Sequence, residues 1–114
     1  MSTRKLLTDF FVLMALTTNV SFVVNPNGIE LFITVVTNLA ATLLKVGEGR
    51  VLSAELMATG LVADLHLIPA LYFYYAGDPG EALSLAWGAL AANVVSVMLV
   101  VIDTVLKSYI EEEG

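Results

Sequence analysis

Four long apolar stretches, separated by short polar breaks, make up nearly the whole chain. The first runs from about Leu6 to Val24 and ends at Asn25-Pro26-Asn27-Gly28, a cluster of turn formers that cannot continue a helix. The second, Ile29 to Val46, ends at Gly47-Glu48-Gly49-Arg50. The third, Val51 to Ala76, stops at Gly77-Asp78-Pro79-Gly80, and the fourth, Ala82 to Leu106, precedes a charged tail from Lys107 to Gly114 that reads as solvated. Each stretch approaches or exceeds the ~20 residues that a helix needs to cross ~30 Å of hydrocarbon. Strands are excluded by this length and by the lack of any partner for an open sheet edge in lipid. The pattern predicts an all-α integral membrane protein, a single up-and-down domain of four transmembrane helices over residues 1–114. The third helix is long enough to tilt or project. Arg4-Lys5 resembles the start of a leader peptide, but the apolar stretch is long and no small-x-small cleavage site follows, so the segment reads as a retained helix.

Composition adds exclusions. Of 114 residues, 58% are hydrophobic and 14% charged, against about 45–50% and about 25% in soluble domains. A fold of this size buries only about two-thirds of its unfolded surface, so so much apolar area requires lipid as its solvent. A net charge of −6 argues against a nucleic-acid partner. The absence of cysteine removes disulfides, thiol catalysis and cysteine-ligated metal sites. A lone histidine gives no structural metal site, and no cofactor is expected.

The distribution of charge predicts an orientation. Arg4, Lys5, Lys45, Arg50 and Lys107 all fall at one side of the four-helix pattern, so both termini are expected in the cytoplasm. A prokaryotic plasma or inner membrane is the expected location. Tyr72, Phe73, Tyr74, Tyr75 and Trp87 would form an aromatic belt at the outer interface. Such a one-sided bias argues against dual topology. The sequence carries neither a TVGYG-type filter nor the patterns of small multidrug exporters, fluoride channels or sugar half-transporters.

The informative residues are polar ones inside the apolar stretches. Asn38, Asp64 and Asn93 lie near the centres of their helices, and Asn19 lies nearer the outer end of the first. A carboxylate at mid-membrane costs roughly 2.5–3.5 kcal/mol on insertion scales. Asp64 must therefore be protonated, hydrogen-bonded, cation-bound or wet, and no basic residue is expected at its depth. One face of the second helix carries Glu30, Thr34, Thr37, Asn38, Thr42 and Lys45 at three- and four-residue steps. A similar face on the fourth carries Asn93, Ser96, Asp103 and Lys107. Thr17, Thr18, Asn19 and Ser21 add neutral oxygens to the first. Pro69 frees the carbonyl of Leu65, beside Asp64. His66 lies about 200° around the helix from Asp64 and reads either as a neutral side chain bonded to another helix or subunit, or as a pH sensor.

Four helices of this size enclose little space, so a polar path is expected between protomers around a symmetry axis. The leading expectation is a homo-oligomeric channel for monovalent cations. Asp64, Asn38, Asn19, Asn93, Thr34, Thr37 and Thr18 would line its path, and Glu30, Asp78 and Glu81 would draw cations to its outer mouth. Hydrogen bonding between helices explains much of the same pattern, which suggests a non-conducting partner subunit or assembly factor instead. A proton-coupled small transporter using Asp64 is a third reading. An enzyme is not expected, because Asp64 and His66 do not face each other and nothing completes a nucleophilic or metal constellation.

Overall fold

The three polar breaks become three tight turns, and each helix begins where a side chain can receive its free N–H groups. The computed structural model describes residues 2–113 as four α-helices: α1 Thr3–Val24, α2 Gly28–Lys45, α3 Ser53–Tyr75 and α4 Pro79–Glu113. Ser2 and Asn27 cap α1 and α2 by accepting from the backbone of Lys5 and Glu30, at 3.3 and 2.9 Å. Asp78 accepts from Glu81 N at 3.1 Å, just before Pro79, whose missing N–H is no loss in a first turn. Gly47 and Gly77, just past α2 and α3, take positive φ values of 75° and 91°, which only glycine adopts cheaply. The charged tail continues α4 as far as Glu113, exposed over residues 107–111, since Lys and Glu are good helix formers and nothing breaks the run.

Each helix packs against the next in chain order, and α4 closes the ring against α1. The molecule measures 55 × 22 × 21 Å. Its long dimension is set by α4, whose 35 residues span roughly 52 Å at 1.5 Å per residue. One end of the bundle carries both termini and the α2–α3 turn, and is called the termini end below. Towards the opposite end the interior is apolar: Phe22, Leu31, Val35 and Leu67 fill it, and Ala63, Ala70, Ala82, Ala86 and Ala89 let α3 and α4 approach closely. Phe22 meets Tyr74 edge-to-face at 6.1 Å. Large apolar side chains such as Phe10, Leu13, Phe32, Leu43, Leu65, Trp87 and Met98 are exposed around the outside. All four helices are long and apolar enough to span a membrane, and the described residues contain no strand. These are the features of a multi-pass membrane protein.

Gly88 on α4 lies against the His66 ring of α3. A Cβ there would lie 2.5 Å from Cδ2 of His66. Gly88→Ala should therefore push the imidazole aside and cost about 1–3 kcal/mol, as overpacking generally does. Thermal unfolding in detergent measures the effect, and a wild-type melting temperature would show that the ring yields freely.

Candidate functional site: a polar column inside the bundle

Thr34, Thr37, Asn38, Thr42 and Lys45 are all buried, so the polar face of α2 points into its own bundle. Most of their hydroxyls are also satisfied locally. Thr34 donates to Glu30 O at 2.7 Å, Thr37 to Ile33 O at 2.8 Å, and Thr18 on α1 to Met14 O at 2.7 Å. Such back-bonding to the preceding turn hides a hydroxyl within its own helix. Asn38 donates to Thr34 O in the same way, at 3.1 Å.

Thr42 has two acceptors within reach: its hydroxyl lies 3.0 Å from Asn38 O in its own helix and 2.7 Å from Oδ2 of Asp64 on α3. Oδ1 of Asp64 is buried and receives no hydrogen bond. The expectation that no base lies near this carboxylate is wrong. Lys45, although the last residue of α2, folds its chain inward and is 5% exposed. Its ammonium donates to Leu56 O on α3 at 3.2 Å and to Ser96 Oγ on α4 at 3.3 Å. Gly60 makes room for it: a Cβ there would sit 3.0 Å from Thr42 Oγ1 and 3.1 Å from Lys45 Nζ. Lys45 and Thr42, which bonds Asp64, thus meet beside Gly60, and the acid and the base share one buried interior without ion-pair contact. A lysine chain is long enough to carry its charge well away from its own Cα.

Asn19 and Asn93 join α1 to α4. With its amide oriented to satisfy both ends, Asn19 donates to Ala86 O at 3.1 Å and accepts from Leu90 N at 3.1 Å and Asn93 Nδ2 at 3.0 Å. Both residues are buried. Asn38 and Asp64 make no hydrogen bond to either among the described residues, so the four central polar residues form two groups rather than one ring.

At the termini end a second charged cluster is centred on Arg50, whose side chain is 5% exposed. It donates to Asp9 Oδ1 and Glu48 Oε1, each at 2.6 Å, and its Nη1 lies 3.9 Å from Asp103 Oδ2. Burial works against the charged guanidinium, but its hydrogen bonds to Glu48 and Asp9 hold its pKa above the ordinary arginine value. Asp103 is fully buried and accepts from Leu52 N at 2.7 Å, so α4 caps α3, whose own N-cap residue cannot. A carboxylate there also suits the positive end of the α3 dipole. Glu48 further accepts from the Thr8 hydroxyl, and Lys5 pairs with Asp9 at 2.7 Å. The turn Gly47–Arg50 is thereby tied to α1 and α4.

The remaining candidates are more scattered. His66 is half-buried and donates from Nδ1 to Val62 O at 2.8 Å, within its own helix rather than to another. Pro69 leaves α3 continuous. Glu30 is half-buried, Asp78 and Glu81 are exposed at the end away from the termini, and Asp78 caps α4. No group of three metal-ligating side chains occurs among the described residues.

The sequence profile of a family of unknown function (DUF6394) matches residues 25–104. The chain belongs to that family. The span matched to DUF6394 takes in Lys45, Asp64, Asn93 and Ser96, as well as Glu48, Arg50 and Asp103, but not Asp9 or Asn19 on α1. Neither the curated proteins nor the solved structures give a match.

Sequence reasoning missed the inward turn of Lys45 and the part played by Glu48. The first had a signal, because Lys45 continues the Thr34–Asn38–Thr42 face at the same three- and four-residue steps. Glu48 had none, since a lone acid between two glycines reads as loop.

Proposed function

We propose that the protein moves a monovalent cation through the interior of its own bundle, and that this cation is the proton. The observation that carries the reading is the buried grouping of Asp64, Thr42, Lys45 and Ser96. Ionisable side chains within a membrane are expensive and typically mark ion or proton pathways. Fully buried Phe22, Leu31, Leu56 and Leu67 leave little width for a hydrated metal ion, whereas a proton needs only titratable groups and hydrogen-bonded partners. Asp64, with one unbonded oxygen, would take up and release the proton. The Lys45 ammonium would stabilise the ionised state between transfers. Both termini and the Arg50 cluster would face the cytoplasm of a prokaryotic cell, following the basic residues. Acidic Glu30, Asp78 and Glu81 would enrich cations at the other mouth.

Reconstituted protein in liposomes with an internal pH-sensitive dye and an imposed potassium diffusion potential tests this. Asp64→Asn keeps an acceptor for Thr42 while removing the charge, and it should lower proton flux about tenfold or more, in keeping with a group on the path. Wild-type liposomes no leakier to protons than empty ones would sink the reading. Flux through Asp64→Asn equal to wild type would remove Asp64 from the path.

The Asn19–Asn93 bond between α1 and α4 and the Thr42–Asp64 bond between α2 and α3 favour a second reading, a partner subunit stiffened by interhelical hydrogen bonds. That reading expects no conductance and co-purification in a larger complex.

A further inference from the structure

We propose that the termini end of the bundle binds a phosphate group, with the headgroup of an anionic phospholipid as its source. The inference is independent of the transport reading. A cleft of about 220 Å³ opens there, and four of its lining side chains are cationic: Arg4, Lys5, Arg50 and Lys107. A second cleft of about 380 Å³ shares Ser2, Lys5 and Lys107 with it and continues along α4 past Thr104 and Ser108. The two form a groove between the start of α1 and the extension of α4, where that helix runs on past Lys107.

Three carboxylates also line the groove: the exposed Glu111 in the second cleft, and Glu48 and Asp103 in the first, where both are engaged. Glu48 receives Arg50 Nε and the Thr8 hydroxyl, and Asp103 receives Leu52 N and faces Arg50. Lys5 is paired with Asp9 at 2.7 Å and Arg50 with Asp9 and Glu48 at 2.6 Å, but part of the positive charge is left over. Arg50 Nη1 is buried without a hydrogen-bond acceptor. Lys107 is exposed and has no carboxylate within 4.0 Å among the described residues. Arg4 lies 3.8 Å from Glu48 and spends its other donors on the Leu44 and Val46 carbonyls. In a chain of net charge −6, this end therefore gathers four of the five bases in one groove, with Arg50 Nη1 and Lys107 left for an anion. The orientation rule asks only that the bases lie on one side, not that four of them share a cleft. A phosphate diester suits the set, because guanidinium forks and ammonium point charges both bind its paired oxygens.

The test uses the full-length protein in detergent, with retained ligands counted by native mass spectrometry. Phosphatidylglycerol, phosphatidylcholine and inorganic phosphate are titrated in parallel. Arg4→Gln and Lys107→Gln change exposed side chains, so the fold should persist, and Glu81→Gln at the far end serves as the control. Phosphatidylglycerol should bind in preference to phosphatidylcholine. The double variant should bind it roughly twentyfold more weakly, at about fivefold per base, with the control unchanged. Displacement of the lipid by millimolar phosphate, with the same dependence on Arg4 and Lys107, would keep the phosphate site but overturn its lipid source. Binding of lipid and phosphate that ignores both substitutions would overturn the site itself.

Discussion

Arg50→Met should destabilise the protein by about 3–5 kcal/mol, the usual cost of removing one partner from a buried ionic cluster. Asp9 and Glu48 would each lose a 2.6 Å charge-assisted bond, and the fully buried Asp103 would lose the nearest countercharge. The same change would loosen the α2–α3 turn from α1 and α4, because those contacts converge on a single guanidinium. Arg50→Lys should fall between the two, since an ammonium supplies charge but not a planar fork that reaches carboxylates on separate elements. Melting temperature in detergent reads both variants. An unchanged value for Arg50→Met would mean that the carboxylates are solvated or protonated, and that the cluster does not hold this end together.

Lys45→Met should be comparably damaging, at roughly 3–5 kcal/mol, because Asp64 would be left in the interior without a cation. Methionine fills much of the same volume, so the loss reports charge and hydrogen bonding rather than a cavity. The diagnostic variant is the double, Lys45→Met with Asp64→Asn. Removing both charges should return most of the lost stability, leaving about 1–2 kcal/mol for the bonds to Leu56 O and Ser96. A double variant no more stable than Lys45→Met alone would show that the two groups are energetically separate. Proton flux and stability then give distinct readouts of Asp64, since Asp64→Asn alone retains the Thr42 bond.

Much of the architecture was legible because lipid permits so few solutions. Apolar stretches of about 20 residues between turn formers leave little but spanning helices, and the turns fall where Asn25–Gly28, Gly47–Arg50 and Gly77–Gly80 predict them. The polar face of α2 was equally readable from its spacing, and its residues are the ones buried together. Its destination was not. A stripe of threonine, asparagine and lysine can face an axis between protomers or the interior of its own bundle, and periodicity is identical in both cases.

The sequence by itself determined four membrane-length helices, the gathering of bases toward one end, and an isolated carboxylate in the middle of α3. Only the tertiary structure decided which side chains meet. Lys45 and Asp64 are 19 positions apart and on different helices, and Arg50 and Asp103 are separated by more than a whole helix. The physical reason is that hydrophobic patterning sets which residues avoid lipid, while partners inside are set by helix register and side-chain reach. The missing Cβ at Gly60 and the long side chain of Lys45 bring an ammonium from the end of α2 into the interior that holds Asp64.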